Sequence, residues 1–407
     1  MPAFASPCDI RAAFSQAMSA MYRAEVPLYG DLLDIVADVN ARVPADGDDP
    51  DRDRLGMERH GAIRVGTAEE LRQVAALFRV MGMEPVGYYD LSVAGIPVHS
   101  TAFRPVTAEA LGRSPFRVFT SMLRLEMIED ADLRAEAKAI LSGRRIVTDR
   151  AMALAERAAA NGGLTAEEAK AFVAEALETF RWRREARVSA ETYARLNQAH
   201  RLIADIVSFP GPHINHLTPR TLDIDAAQTE MLRRGLPVKE SIEGPPRRKV
   251  PILLRQTSFK ALDEAVVFAG NAAQGTHTAR FGEIEQRGVA LTPKGRTLYD
   301  ACLARAASEG AEAAFADFPD DADALRSEGL AYFSYASGQP VPITYEDFLP
   351  VSAAGIFRSN LGDEANSTGH GNPQQAAFES ALGRAVLDPF TLYAEEERRS
   401  RTATAAT

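Results

Sequence analysis

Apolar residues recur every three or four positions across residues 10–22 and 32–42, a spacing that gathers them on one face and predicts two helices. Residues 46–54 form a polar break. Beyond it the period shortens, and residues 60–65 read as a strand. Thr67-Ala68-Glu69-Glu70 then has the form of a capping box, so a helix should run to about Met81. Strand-like runs follow at 84–91, 96–103 and 116–127, giving the order β-α-β-β-β. From about Glu129 to Val207 the chain turns rich in Ala, Glu and Arg with helical spacing, broken at Asn161-Gly162-Gly163. The first order then returns. A strand is expected at 213–218, a helix at 222–234, strands at 237–242 and 250–256, a looser stretch to Thr278, and a last strand at 280–291. Residues 293–307 read as a helix, 345–361 lie in an irregular region, and another helix is expected near 374–386. The polar tail 400–407 is expected to be disordered.

The repeated order is the most informative feature, because internal duplication changes every other fold assignment. His60 opens the first strand of one unit and His216 that of the other. Glu126 follows His60 by 66 residues and Glu283 follows His216 by 67, each expected in the last strand of its unit. Each histidine is also followed four positions later by an arginine, Arg64 and Arg220. The expected architecture is α+β, with two β-α-β-β-β modules forming a trough. Its parts are N-terminal helices (1–55), a first module (56–128), a helical insertion (129–208), a second module (209–291) and a C-terminal covering region (292–407).

The bulk numbers narrow the function. With 407 residues, 46% of them hydrophobic and 25% charged, the chain can bury a core without staples. Cys8 and Cys302 form no CxxC pair, which excludes a zinc finger, a thioredoxin-like motif and a disulfide framework. The net charge is −10 and no Lys/Arg block stands out, so no nucleic-acid partner is expected. No run approaches the roughly 18 apolar residues of a membrane span. The first residues lack a basic flank followed by an apolar run, so no secretory signal is expected and a cytoplasmic setting is.

Strand alternation places the chemistry. His60, Ala62 and Arg64 share a face, as do His216, Thr218 and Arg220, and likewise Glu283, Glu285 and Arg287. Two histidines and one carboxylate facing into a trough would leave about half of an octahedral metal open, the arrangement of non-heme iron(II) oxygenases. At ~3.3 Å per residue, the Cα of Arg64 lies about 13 Å along the strand from that of His60. Its planar fork could therefore meet a carboxylate several carbons from the metal. Plainer roles stand beside these. Arg64 could pair with an acidic neighbour such as Glu58, and Arg220 and Arg287 could be structural. Glu126 is expected to be a buried or salt-bridged remnant of the duplication rather than a fourth ligand. His213 falls on the opposite strand face from His216, where packing or a loop hydrogen bond is expected. His99, His200, His277 and His370 have no partner at ligand spacing, although His277 lies just before the ligand strand.

The duplicated order, with His on a first strand and Glu on a last, resembles the vicinal oxygen chelate superfamily. Four segments more narrowly resemble the 2-oxoadipate dioxygenase/decarboxylase family: Glu58-Arg59-His60-Gly61-Ala62-Ile63-Arg64, Ile214-Asn215-His216-Leu217-Thr218-Pro219-Arg220, Phe281-Gly282-Glu283-Ile284-Glu285-Gln286-Arg287-Gly288 and Phe348-Leu349-Pro350-Val351-Ser352-Ala353. The likeness spans roughly residues 10 to 390. It implies Fe(2+) held by His60, His216 and one of Glu283 or Glu285. Glu283 is preferred because Phe281-Gly282-Glu283-Ile284-Glu285-Gln286-Arg287 is also similar to the metal-binding strand of 4-hydroxyphenylpyruvate dioxygenases. It further implies substrate contacts from Arg64, Val351 and Ser352, with Arg220 a weaker candidate. The implied reaction takes a 2-oxo dicarboxylic acid and O2, releases CO2 and hydroxylates the neighbouring carbon, so that 2-oxoadipate gives 2-hydroxyglutarate. Two other functions fit the same fold. A glyoxalase-like isomerase or lyase would need a fourth protein ligand, Glu126. A non-catalytic binding protein would leave a complete His/His/Glu set unexplained.

Overall fold

The computed structural model describes residues 4–44, 52–270, 272–349 and 373–405. The first module forms in the expected order: β1 (Arg59–Val65), the helix Ala68–Val80, β2 (Glu84–Asp90), β3 (Val98–Arg104) and β4 (Phe116–Leu123). Thr67 caps the helix by accepting from the Glu70 amide at 3.2 Å. Glu70 does not close the box. Its carboxylate instead takes the Gly66 amide and the Arg144 guanidinium, tying the helix start to the insertion.

The two modules join edge to edge. One five-stranded sheet runs β2-β3-β4-β1-β5, where β5 (His216–Pro219) is the first strand of the second module. β1 runs parallel to β4 and antiparallel to β5. Gly61 permits this pairing, because a Cβ there would lie 2.9 Å from the His216 carbonyl oxygen and 2.7 Å from Ile214.

The second module continues with the helix Ile224–Arg233, β6 (Leu254–Ser258), β7 (Leu262–Val267), β8 (Gln274–Arg280) and β9 (Glu283–Arg287). Several expectations are corrected here. Residues 237–242 form no strand; Val238 makes an isolated bridge to Phe259, and Pro237 and Gly244-Pro245-Pro246 deny the segment a ladder. The stretch expected to be loose contains the β7–β8 hairpin, in which β8 is polar in sequence and its exposed and covered positions largely alternate as in a strand. The single strand expected at 280–291 is two, since Arg280 ends β8 and β9 begins at Glu283. In the first module β4 stops at Leu123, and Glu126 lies in the one-turn helix Leu125–Met127 rather than in a strand. The tail expected to be disordered is helical to Ala405 in Pro389–Ala405, where Ser400 accepts from the Tyr335 amide at 3.0 Å.

Helices brace the junction. The N-terminal helix Pro7–Glu25 presents the buried Tyr22, whose hydroxyl contacts the carbonyl oxygens of Asn215 (2.9 Å) and Phe281 (2.7 Å). One side chain therefore fixes the approaches to both β5 and β9. The insertion includes Ala131–Ser142, Asp149–Asn161, Ala166–Leu177, Ala190–Ala199 and Arg201–Ser208.

Beneath the junction lies a buried ionic knot. Glu58, fully buried, pairs with Arg54 (3.2 Å), Arg117 (2.8 Å), Arg220 (3.1 Å) and Arg287 (3.7 Å). Burial pushes its carboxyl up, but the four guanidiniums outweigh that and hold it well below the ordinary range. Arg54 and Arg117 also pair with Glu346 of the C-terminal region, so the knot joins all the layers. Breaking a buried ion pair costs far more than the pair contributes over an apolar substitute. Glu58→Ala is therefore expected to lower unfolding free energy by about 3–5 kcal/mol, read as a drop in the urea midpoint. An unchanged midpoint would contradict the knot. Because the folded pKa is depressed, the stability Glu58 contributes is present above its unfolded pKa, roughly 4.3, and is lost as pH falls through the folded value.

Candidate metal centre

The β1–β5 register brings the two histidines together. His60 lies opposite Thr218 and Ala62 opposite His216, so the imidazoles are diagonal neighbours on one face. Their rings stand edge to face with centroids 5.5 Å apart. β9 adds the carboxylate from the other side: the bridge Arg220–Glu285 sets β5 and β9 parallel, and Thr218 Oγ1 donates to Glu283 Oε1 at 3.2 Å. One ligand atom from each of His60, His216 and Glu283 falls within a 4.8 Å span, and all three residues are buried.

Glu283 and Glu285, indistinguishable by strand alternation, take different positions. Glu283 Oε1 lies 3.3 Å from His60 Nε2, and Glu285 Oε2 lies 2.9 Å from His60 Nδ1. Glu283 also accepts from Gln256. Glu285 receives the Arg287 fork at 2.8 and 2.9 Å, and Arg287 in turn donates to the Tyr345 and Asp347 carbonyls. Glu285 therefore sits behind the His60 ring. A carboxylate in that place fixes the ring of a metal-bound histidine and raises its basicity.

Charge follows the same pattern. Burial would raise the Glu285 carboxyl, but Arg287 and His60 hold it at about 2. Burial would lower His60, yet Glu285 and Glu283 outweigh it and the ring is raised. Burial, reinforced by the charges of His60 and Arg64, pushes His216 well below its ordinary value, so its ring is neutral. Both nitrogens of His60 and Nδ1 of His216 are buried without a hydrogen bond of good angle. With Nδ1 of His60 facing Glu285, it is Nε2, beside Glu283, that a metal ion would satisfy, and the two-histidine, one-carboxylate set fits a divalent ion with open positions. Glu285→Gln is expected to weaken metal binding roughly 10–100-fold, measured by titration of the metal-free protein. Unchanged affinity would remove Glu285 from this role.

The other sequence candidates divide. Arg64 does not reach Glu58; its Nη1 pairs with Asp205 Oδ2 at 2.7 Å, and its charge is felt at His216. Arg220 and Arg287 belong to the ionic knot, as the structural alternative held. Val351 and Ser352 lie outside the described residues. Glu126 is exposed and paired with Arg124 at 2.8 Å, so it offers no fourth ligand. In the first module the position matching Glu283 is Phe119, which pairs with Ala62 as Glu283 meets Thr218. Phe348, just before the candidate substrate segment, sets its ring 5.0 Å from His60, and Phe281 sets its own 4.7 Å from His216.

The places of Gln256, Phe348 and Asp205 at the site were not read from the sequence. Phe348 opens the fourth family-like segment, and Asp205 leaves a signal of its own, a lone carboxylate within the apolar run Leu202-Ile203-Ala204-Asp205-Ile206-Val207. A second group of donors, Asp205, His213 and His277, is equally compact and buried.

Comparison with known proteins gives the family and the fold. Residues 14–360 match the family model described as 2-oxoadipate dioxygenase/decarboxylase. The 2-oxoadipate dioxygenase/decarboxylase of Pseudomonas putida is 54% identical over 98% of this chain and 97% of that protein. The crystal structure of hydroxyglutarate synthase in complex with 2-oxoadipate, also from Pseudomonas putida, superposes with a TM-score of 0.92 at 52% identity, covering 99% of this chain and 98% of the other. A putative glyoxalase superfamily protein from Ralstonia eutropha JMP134 shares the fold alone, with a TM-score of 0.55 at 19% identity over 70% of this chain and 85% of the other. Matched along nearly its whole length, the chain belongs to the 2-oxoadipate dioxygenase/decarboxylase family.

Proposed function

We propose that the protein is an iron(II)-dependent dioxygenase that converts 2-oxoadipate and O2 to 2-hydroxyglutarate and CO2. The observation that carries the proposal is the convergence of His60, His216 and Glu283 on one buried point, with Arg64 on the same face of β1 as His60. The name and bound 2-oxoadipate of the solved relative supply the substrate.

His60, His216 and Glu283 would hold the ion. Iron(II), when bound, supplies chelation of the carboxylate and keto oxygens of a 2-oxo acid and the electrons that activate O2. The protein supplies the rest. Thr218 and Gln256 hold Glu283 from two strands, and Glu285 with Arg287 holds His60. Phe348 and Phe281 wall the histidines with apolar surface and limit water. Arg64 takes the distal carboxylate of the substrate, setting its chain across the site, and Val351 and Ser352 complete the substrate contacts. The atoms balance. C1 leaves as CO2, the keto carbon becomes a carboxylate with one atom of O2, and the next carbon gains a hydroxyl with the other.

No helix among the described residues is long and apolar enough to cross a membrane. A cytoplasmic setting is part of the proposal, and the two free cysteines suit a reducing compartment. The test is oxygen uptake by iron(II)-loaded protein given 2-oxoadipate, with equimolar CO2 and 2-hydroxyglutarate expected. Equal CO2 release without oxygen would refute it.

A further inference from the structure

The histidine and aspartate cluster behind Arg64 has no role in the account so far. Asp205 comes from the insertion helix Arg201–Ser208 and is buried. Its Oδ2 accepts from Arg64 Nη1 at 2.7 Å. Its Oδ1 faces His277 Nε2 at 2.9 Å and His213 Nε2 at 3.3 Å. The two rings are held in turn. Tyr193 Oη lies 2.8 Å from His277 Nδ1, and Asn215 Nδ2 lies 3.2 Å from His213 Nε2. Trp182 packs edge-on against His213 and Phe209 against His277.

The donor spacing alone would admit a cation, but a guanidinium already occupies one oxygen of Asp205. A divalent ion placed among these groups would sit against that positive charge. Another use fits better. A free arginine samples many rotamers, and ordering it costs part of the affinity for whatever it binds. A buried carboxylate that grips one side of the guanidinium meets that cost before substrate arrives. Burial opposes the charge on Asp205, yet His213 and Arg64 keep it well below the ordinary carboxylate range, so the grip is ionic.

We propose that Asp205, braced by His277 and His213, is a positioning residue that aims Arg64 at the distal carboxylate of the substrate and so sets the preference for dicarboxylic oxo acids. The proposal rests on the functional reading above. It assigns the helical insertion a part in specificity, since Asp205 and Tyr193 both come from it.

The test compares 2-oxoadipate with 2-oxohexanoate, the same chain lacking the distal carboxylate, in iron-loaded protein. Turnover is followed in air and binding is followed anaerobically by calorimetry. Asp205→Asn is expected to raise the KM and Kd for 2-oxoadipate roughly tenfold, with kcat within about twofold and 2-oxohexanoate binding unchanged. Tyr193→Phe, a milder change at a half-buried site, should shift the same constants in the same direction by less. Equal losses for both acids, or no loss for either in both variants, would overturn the proposal. Unaltered protein that consumes no 2-oxoadipate would overturn the functional reading itself, and this proposal with it.

Discussion

His216→Ala is expected to lower turnover of 2-oxoadipate by roughly 10³-fold or more, with bound iron falling in parallel. Among the described residues the ring is one of three donors grouped at the candidate centre, and Glu126 is exposed and paired elsewhere. Burial and the neighbouring positive charges keep the His216 ring neutral, the form in which an imidazole can coordinate. Losing it removes a ligand and leaves a cavity beside Phe281. The cavity alone would cost a few kcal/mol of stability at most. Iron content and the urea midpoint, measured on the same sample, separate the two effects. Full activity with normal iron content would mean that His216 is not a ligand.

Arg64→Met is expected to lower kcat/KM for 2-oxoadipate by about 2–4 kcal/mol, roughly 30- to 1,000-fold, mostly through KM. Methionine keeps much of the apolar stem and removes the charge. The loss should be confined to substrates with a distal carboxylate, because the candidate metal ligands stand on their own supports: Glu283 on Thr218 and Gln256, His60 on Glu285. Steady-state kinetics with 2-oxoadipate and 2-oxohexanoate read the difference. A uniform fall for both acids would assign Arg64 to the scaffold.

The first module was legible in the sequence because its strands and helix each carry a clean period, and β1, its helix, β2 and β3 fall within two residues of the expected bounds. In the second, the helix falls within two residues of its expected bounds, but the strands do not. The β7–β8 hairpin was missed although β7 leads into the apolar run Ala265-Val266-Val267-Phe268, because its partner β8 is polar in sequence and offers no second strand pattern. The duplication pointed to two histidines that the fold brings together, but its spacing argument mistook Glu126 for the partner of Glu283. Two loops of different length happened to give nearly equal separations, and strand register places Phe119 there instead. The ambiguity between Glu283 and Glu285 could not be settled by alternation, since both face the same way. It depends on which nitrogen of His60 each approaches, a tertiary fact set by how β9 lies against β1 and β5. Asp205 and Gln256 are tertiary in the same sense, as they reach the site from the insertion and from the partner strand of β9.

The measurement that bears most directly on the central claim is a turnover of 2-oxoadipate under ¹⁸O2 by the iron(II)-loaded protein, with products read by mass spectrometry. The account predicts unlabelled CO2 and 2-hydroxyglutarate carrying one ¹⁸O in its new carboxylate and one in its hydroxyl. Unlabelled 2-hydroxyglutarate, or product formed at the same rate without oxygen, would contradict it.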